Sequence, residues 1–261
     1  MMNEEVYQHY RKEEQPFIDQ VYGWMQQVEN RYSPYLSVFL TPRQAMIVEQ
    51  LIGDSETILL QLFGGYEGAE RKRALLYPAY YEPNHDDYET SALQIIFPAK
   101  FANISHGKIL GTLIGAGIDR ERIGDIITDG DSWHVIVDFG VKEYFKQNVT
   151  KIGNVGVRLE DLDFADLLES SETWETRTVI ASSLRLDTLL AKVYNFSRQR
   201  AKDSVSSGMV KVNFMEMDRS DVTIGENDIV SLRKSGRFWI ESIDGTTKKD
   251  NYRLTVNVLQ V

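Results

Sequence analysis

The order of strand and helix signals between residues 89 and 159 constrains the fold more than any other feature of this sequence. In chain order, the residues predict strand, helix, strand, strand, helix and strand at 92–97, 105–116, 124–128, 133–139, 142–151 and 155–159. The two middle strands are joined through Asp129-Gly130-Asp131, which is a hairpin signal. The order βαββαβ is that of the ferredoxin-like plait, which RNA-recognition motifs also use.

The third predicted strand of the plait does not show whether the plait binds RNA. Many unrelated functions occur on the same topology. Residues 133–139 contain Trp133 and Phe139 but lack the basic-Gly-aromatic pattern that RNA-recognition motifs carry on this strand. The sequence therefore leaves open whether the sheet of the plait contacts RNA.

The residues before the plait predict a small α/β unit that ends near residue 83. Helix-like apolar spacing runs from Val6 to Val28, with an interruption at Pro16. Thr41-Pro42 predicts the start of a second helix, because a hydroxyl cap followed by proline favours a helix N-terminus. The predicted elements after the first helix are a helix at 41–52 and strands at 57–63 and 74–80.

An acidic segment separates the plait from the end of the chain. Residues 160–175 contain seven acidic residues and no basic one, which predicts a connector. We therefore expect an α+β protein of three small domains, a number that 261 residues can support. The predicted bounds are 1–83 for the N-terminal α/β domain, 84–170 for the plait, 171–182 for an acidic linker and 183–261 for a C-terminal domain.

The C-terminal domain begins with two helices separated by a cap. The first helix is amphipathic, and its apolar face comprises Leu186, Leu189, Leu190 and Val193. Ser197 stands in the cap position before a second helix at 198–206, and Gly208 supplies a left-handed helix stop. Short strands are predicted at 210–214 and 229–232.

Charge is distributed unevenly along the chain, whose net charge is −10. Residues 181–261 contain thirteen Lys or Arg and ten Asp or Glu, so this part has a net charge of +3. Residues 1–180 contain sixteen basic and twenty-nine acidic residues, so they have a net charge of −13. Affinity for a phosphate backbone depends on local positive surface and not on the total charge. The C-terminal domain is therefore the predicted RNA-binding region.

Two arginines are the main candidates for RNA contact because each stands at a predicted helix start. Arg185 and Arg198 combine side-chain charge with the exposed amides and the dipole of a helix N-terminus, and arginine forks clamp phosphate oxygens. The alternative is that they are surface arginines paired with Asp187 or Asp203, and we expect Asp187 to orient Arg185. The other predicted RNA-binding residues of this domain are Ser197, Arg200, Lys202, Lys211, Arg233, Lys234 and Arg237. Replacing Arg185 and Arg198 with alanine is expected to weaken binding and to leave thermal stability nearly unchanged.

A second basic segment follows a glycine turn in the N-terminal domain. Arg71, Lys72 and Arg73 are consecutive and are predicted to form a second contact with RNA or protein. A run of three charges is also common on ordinary protein surfaces. The segment is therefore a weaker candidate than the C-terminal arginines.

The motifs of several function classes are absent from the sequence. It contains no cysteine, which excludes disulfides and thiolate-bound metals, and no Walker phosphate loop, dinucleotide fingerprint or HExxH helix. The histidines lack metal-ligand spacing, and no apolar run reaches the length of a membrane span. We expect a cytoplasmic monomer that needs no cofactor and catalyses no reaction.

The C-terminal domain resembles the S4-type RNA-binding domain of ribosomal and tRNA-handling proteins. The match rests on Arg185-Leu186-Asp187, Leu190, Ser197-Arg198, Ala201, Val205, Gly208, Val210, Val212-Asn213 and the turn at 225–229. In that turn, Gly225-Glu226-Asn227-Asp228 stands where the family usually has a Gly-Asp pair. The resemblance implies that residues 183–261 bind RNA.

Nearly the whole chain resembles the YlmH family, which comprises bacterial S4-domain proteins often encoded beside cell-division genes. The match rests on residues 63–73 (FGGYEGAERKR), 106–111, 115–120 and 123–126. Membership implies an N-terminal α/β unit, a plait and an S4 domain. It also implies binding to rRNA and tRNA on the large ribosomal subunit, in ribosome-associated quality control with C-terminal tailing of the nascent chain, and contact with other quality-control factors.

Two alternatives remain open. The acidic residues 1–180 and the family's gene neighbourhood fit a protein-interaction adaptor in cell division. More distantly, Arg185-Leu186-Asp187 is similar to the stretch that carries the nucleophilic aspartate of pseudouridine synthases, which are RNA-modifying enzymes. Asp187, however, already belongs to the S4 pattern, and no second match exists upstream.

Overall fold

The computed structural model of the protein describes residues 7–8, 10–53, 55–99, 102–169 and 174–260. Val6 and residues 171–173 of the predicted linker lie outside these ranges. The chain divides into two compact units, residues 1–171 and 172–261. Both units combine helices with antiparallel sheets, so the predicted α+β class is confirmed. Short 3-10 turns occur at Lys12–Glu14, His85–Tyr88, Arg120–Arg122 and Phe164–Asp166.

The first part of unit 1 is a three-stranded sheet covered by two helices. In chain order, its elements are α1 (Gln15–Arg31), β1 (Tyr35–Leu40), α2 (Pro42–Ile52), β2 (Ile58–Phe63) and β3 (Lys72–Pro78), and the strand order is β1-β3-β2. Pro16 lies in the first turn of α1, so the helix begins at the predicted interruption. Thr41 caps α2 as predicted, because its Oγ1 accepts the Gln44 backbone N–H at 3.2 Å. Strand β1 was not predicted.

The second part of unit 1 has the predicted βαββαβ order with one added hairpin. Its elements are β4 (Thr90–Ile96), α3 (His106–Gly115), β5 (Ile123–Thr128), β6 (Trp133–Asp138), α4 (Phe139–Asn148), β7 (Lys151–Ile152), β8 (Val155–Gly156) and β9 (Arg158–Leu162). The four long strands pair in the order β5-β6-β4-β9, and β7 pairs with β8. Helices α3 and α4 pack on one face of this sheet, where Leu93, Ile109, Val135 and Phe145 form the centre of the core.

The opposite face of the plait sheet packs against the N-terminal sheet. Phe39 of β1 lies in one apolar cluster with Ala92, Ile127 and Ile136 of the plait. Asp125 of β5 strengthens this junction, because it accepts hydrogen bonds from the Tyr66 hydroxyl (2.8 Å) and from the backbone N–H groups of Glu70 (2.7 Å) and Arg71 (3.1 Å). A Cβ at Gly64 would lie 2.3 Å from the Arg71 carbonyl oxygen, which explains why this loop requires glycine.

Unit 2 is a six-stranded antiparallel sheet with two short helices. Its elements are β10 (Glu175–Ala181), α5 (Leu186–Val193), α6 (Arg198–Ser206), β11 (Val210–Val212), β12 (Met215–Glu216), β13 (Ile229–Leu232), β14 (Gly236–Thr246) and β15 (Tyr252–Gln260). The strand order is β10-β15-β14-β13-β11-β12. The helices contribute Leu186, Leu189, Leu190, Ala201 and Val205 to one core with the sheet. Burying each leucine stabilises the unit by roughly 1.5–3 kcal/mol.

The predicted acidic linker is wrong for most of its length. Residues 175–181 form β10, which pairs with β15 from Glu175–Val258 to Ala181–Tyr252. Backbone hydrogen bonds to β15 therefore make this segment the edge strand of unit 2 rather than a solvated connector. Most of its side chains are exposed or half-buried, since only Ala181 is fully buried.

Candidate nucleic-acid interface

The N-termini of α5 and α6 are set by backbone contacts and by one side-chain cap. The N–H groups of Leu186 and Asp187 donate to the carbonyl oxygens of Val222 (2.9 Å) and Ser220 (3.0 Å). Ser197 caps α6, because its Oγ accepts the Arg200 backbone N–H at 3.1 Å. The structure thus assigns a structural role to Ser197, which the sequence analysis predicted as an RNA contact.

Asp187 joins the two main candidate arginines. Arg185 donates from Nε and Nη2 to the two carboxylate oxygens of Asp187, both at 3.1 Å. Arg198 donates to the same two oxygens, from Nε at 3.3 Å and from Nη2 at 3.5 Å. The carboxylate side chain is 0% exposed, whereas the Arg185 and Arg198 side chains are 37% and 55% exposed. The carboxylate therefore lies below two guanidinium groups that both reach solvent.

The sequence left two alternatives for Arg185 and Arg198, namely pairing with a carboxylate and contact with RNA, and this geometry is compatible with both. Arg185 and Arg198 pair with a carboxylate, and they also stand side by side at the surface. We call this cluster of Arg185, Arg198 and Asp187 the arginine pair. Its two cations and one anion give it a net charge of +1. The orienting role predicted for Asp187 extends from Arg185 to Arg198.

The pKa shifts of Asp187 and Arg185 keep both of these groups charged near neutral pH. Burial raises the pKa of Asp187, but hydrogen bonds and charge from Arg185 and Arg198 outweigh burial and hold it below its ordinary value. The hydrogen bond to Asp187 raises the pKa of Arg185 above its ordinary value. Thr188 adds a further donor, since its hydroxyl lies 3.3 Å from Asp187 Oδ1.

Arg200 and Lys202 extend the positive surface of α6. Both residues are exposed. The Arg200 guanidinium lies 3.7 Å above the centre of the Phe196 ring. Lys202 follows Arg198 by four residues, so the two side chains share one face of the helix. Phe196 was not among the predicted site residues, although an aromatic side chain directly before a helix cap followed by arginines is a signal for such a contact.

The predicted strand residues form a second group on the sheet. Lys211 of β11 is opposite Ser231 of β13, and Ser231 is opposite Arg237 of β14. Residues that face each other across strands point to the same side of the sheet, so Lys211 and Arg237 share one face, with Cα atoms about 10 Å apart. Arg237 lies 5.1 Å from the ring centre of Trp174.

Arg233 and Lys234 occupy the turn between β13 and β14 and are both exposed. The Arg233 N–H donates to the carbonyl oxygen of Met209 at 2.9 Å, which places this turn beside the C-terminal end of α6. The arginine pair lies at the other end of that helix, whose nine residues span about 13 Å. Arg233 and Lys234 therefore lie near the other end of α6 from the arginine pair. Lys211 and Arg237 project from the sheet face opposite the helices, because their neighbours Val210, Val212 and Phe238 lie in the core with the helices.

Arg71 and Arg73 are buried within unit 1, so the prediction that they form a second RNA contact is wrong. Arg71 is 3% exposed and donates to the Phe39 carbonyl oxygen at 2.7 Å. Arg73 is 5% exposed and donates to the Ser37 carbonyl oxygen at 2.7 Å. Desolvation lowers the pKa of both arginines. Only Lys72, on the opposite face of β3, is half-exposed.

Arg73 also ties the plait to the N-terminal sheet. It donates to the carbonyl oxygens of Tyr88 and Glu89, each at 3.1 Å, and forms an ion pair with Asp138 at 3.4 Å. These partners come from distant parts of the chain, which is why the sequence alone indicates a basic surface run. The arginine is a buried structural residue.

Comparison with known proteins assigns the chain to a family. A family model described as "YlmH, N-terminal" matches residues 13–81, and one described as "Putative RNA-binding domain in YlmH" matches residues 83–166. A Bacillus subtilis (strain 168) protein named "Ribosome-associated protein quality control protein P2" is 36% identical over 251 residues, which are 96% of this chain and 97% of that protein. The chain belongs to the YlmH family. The resemblance predicted from the sequence is confirmed.

A solved structure of a YlmH relative supports the same assignment. "Cell division protein ylmH from Streptococcus pneumoniae" is 33% identical, with a TM-score of 0.55, over 62% of this chain and 99% of the solved one. Among the residues that the structure describes, none of the helices of this YlmH-family chain could span a lipid bilayer. In the same ranges, no three His, Asp or Glu side chains cluster as metal ligands would.

The YlmH plait differs from RNA-recognition motifs in the face it exposes. RNA-recognition motifs stack bases on the sheet face that their helices leave open. In this YlmH-family chain, that face carries Ala92, Ile127 and Ile136, each at most 3% exposed and packed with Phe39. The Leu168 N–H also donates to Nδ1 of the buried His134 at 3.2 Å. The part of this sheet face formed by Ala92, Ile127 and Ile136 is therefore closed to RNA bases, whereas Ile96 and Arg158, opposite each other on β4 and β9, are exposed.

Proposed function

We propose that this chain is a non-catalytic RNA-binding protein that acts in ribosome-associated quality control. Its C-terminal unit would be an S4-type domain that docks on rRNA and tRNA of the large ribosomal subunit in the cytoplasm, while the nascent chain receives its C-terminal tail. The name of the Bacillus subtilis relative supports this role. The observation that carries the proposal is the arginine pair, in which one buried carboxylate presents two guanidinium groups together.

The arginine pair has the donors that phosphate binding requires. Each guanidinium has five N–H groups, and Asp187 accepts two from each arginine. Three donors of each arginine are therefore left for an oxyanion. The positive end of the α6 dipole adds to the attraction. The first N–H groups of α5 do not, because they already donate to the carbonyl oxygens of Val222 and Ser220.

The same geometry argues against a catalytic Asp187. A nucleophilic aspartate must bring a carboxylate oxygen to the target base. Asp187 is fully buried, and both of its oxygens accept from two guanidinium groups. We therefore favour binding over base modification, and the pseudouridine synthase-like alternative becomes the weakest of the three.

Sedimentation with purified large ribosomal subunits tests the proposal. The variant to use is R185K/R198K, because it keeps the charges beside Asp187 while removing the planar forks. We expect the parent to co-sediment in a salt-sensitive manner and the variant to bind about tenfold more weakly. R177K/R253K is the matched control, since it changes one arginine of β10 and one of β15, outside the proposed site. Equal binding by R185K/R198K and the parent would show that the site is elsewhere.

A protein-interaction adaptor in cell division is the second candidate. The name of the Streptococcus pneumoniae relative and the charge of −13 on residues 1–180 favour it. Nuclease treatment of complexes isolated with the full chain separates the candidates. A protein complex that survives nuclease and is unaffected by R185K/R198K supports the adaptor, whereas loss of the complex supports RNA binding.

A further inference from the structure

The Arg200 side chain is held differently from the arginine pair. Its guanidinium carbon lies 3.7 Å from the centre of the Phe196 ring, whereas the other cation–ring distances found in the described residues are between 5.1 and 5.7 Å. A separation of 3.7 Å is van der Waals contact and fits a guanidinium plane stacked on the ring. One face of the guanidinium is thus covered by Phe196, and the residue as a whole is exposed.

Among the described residues, no acidic side chain forms an ion pair with this guanidinium. Within the described part of unit 2, the Arg185 and Arg198 ion pairs are with Asp187, and Arg200 has none. The nearest acid along α6, Asp203, instead accepts a hydrogen bond from the Gln199 amide at 2.8 Å. The donors of Arg200 therefore remain available to an external group.

The stack beneath Arg200 is anchored in the core. Phe238 is fully buried, and its ring lies 6.0 Å from that of Tyr194 in an edge-to-face contact. Tyr194 stacks on Phe196 at 5.8 Å with an interplanar angle of 29°. The series Phe238, Tyr194, Phe196 and Arg200 runs from the core to the surface. A guanidinium fixed in this way loses less conformational entropy when it binds a ligand than a free arginine would.

We propose that the outer face of Arg200 stacks on an unpaired base of the RNA whose phosphates Arg185 and Arg198 bind. The inference rests on the proposed function and names the class of RNA, which is a loop, bulge or single-stranded end. Bases inside an A-form helix are stacked on both faces, so only an unpaired base can cover a guanidinium plane. Aromatic side chains and guanidinium planes are the surfaces on which proteins stack such bases.

Fluorescence of 2-aminopurine tests this inference with the full-length protein. Two RNA hairpins of identical length carry the probe base, one in the loop and one in the paired stem, and a fully paired duplex serves as the competitor. We expect the parent to change the fluorescence of the loop probe but not that of the stem probe, and to bind the hairpin more tightly than the duplex. R200K keeps the charge but lacks the guanidinium plane, so it should leave the loop fluorescence unchanged and bind the hairpin about tenfold more weakly, with unchanged affinity for the duplex.

Further variants separate the inference from the proposed function. F196L removes the support below Arg200 and should also lose the preference for the hairpin, whereas R253K, an exposed arginine of β15, should behave as the parent. R185K/R198K should bind both RNAs more weakly. Retention of the hairpin preference by R200K or F196L overturns the stacking inference alone. Unchanged binding of both RNAs by R185K/R198K overturns the proposed function.

Discussion

The arginines of unit 1 and those of unit 2 show how one residue type serves two purposes. Arg71 and Arg73 are buried and donate to backbone carbonyl oxygens from distant parts of unit 1. Arg185 and Arg198 share the buried carboxylate of Asp187 and reach solvent with the rest of their guanidinium groups. A buried guanidinium whose donors are used internally holds a fold together, whereas an anchored and exposed one is ready for an external anion. Burial and partners, not local basic sequence, distinguish the two.

The largest expected effect is on the stability of unit 1. R73A would leave the carbonyl oxygens of Ser37, Tyr88 and Glu89 without this donor and would remove a buried partner of Asp138. Removing one member of a buried pair costs about 3–5 kcal/mol. Urea unfolding should show this loss, while K72A, on the exposed face of the same strand, should change the stability by less than about 0.5 kcal/mol. Similar stability for both variants would contradict the structural role of Arg73.

The second expected effect is on RNA affinity and reverses one expectation from the sequence. R185A/R198A would leave Asp187 buried without a cation, so it should lose stability, and not only affinity. R185K/R198K should keep the stability within about 1 kcal/mol but bind large ribosomal subunits about tenfold more weakly, because lysine lacks the bidentate fork. Thermal unfolding and sedimentation of both variants check this. Equal stability of R185A/R198A and the parent would show that the Asp187 contacts contribute little to folding.

The sequence predicts the structural features that depend on residues close together in the chain, and it misses those that depend on distant residues. The plait order, the Thr41 and Ser197 caps and the glycine at 208 are set by residues close in the chain, and the structure has them. Strand β10 was missed because its side chains are mostly exposed and its pairing partner, β15, is about 80 residues away. The burial of Arg71 and Arg73 depends on carbonyl oxygens in other elements, which no local pattern reveals.

The sequence indicates which residues belong to the candidate site, but it does not predict how their side chains are arranged. Helix starts and charge indicated Arg185 and Arg198, yet the sharing of one carboxylate by both arginines appears only when α5 and α6 are folded together. The stack of Arg200 on Phe196 likewise requires the turn that joins the two helices.

A smaller effect is expected at the cap of α6. S197A removes the hydrogen bond from the Arg200 N–H, which should destabilise unit 2 by about 1 kcal/mol. If Ser197 serves as a cap, RNA affinity measured well below the unfolding transition should change little. S206A, in the last turn of the same helix, is the matched control. A large loss of RNA affinity with unchanged stability would instead make Ser197 a direct contact.

The smallest expected effect is the change with pH in the contribution of Asp187 to the unfolding free energy. The pKa of folded Asp187 lies below its ordinary value of about 3.9, so its ion pairs stabilise the protein above that pH and are lost as the pH falls through the folded pKa. D187N has no group to titrate. The difference in unfolding free energy between the parent and D187N should therefore be constant near neutral pH and shrink below about pH 4. A difference that does not shrink in acid would contradict an ionised Asp187.

Site-specific crosslinking to ribosomes tests the central claim most directly. A photoreactive benzoylphenylalanine replaces Gln199, which is exposed in the first turn of α6 between Arg198 and Arg200, and in a second protein it replaces the half-exposed Lys72 of β3. If the arginine pair docks on RNA, the probe at 199 will crosslink to rRNA or tRNA and the probe at 72 will not. Crosslinking to RNA from position 72 but not from position 199 would contradict the assignment of the RNA-binding surface to unit 2.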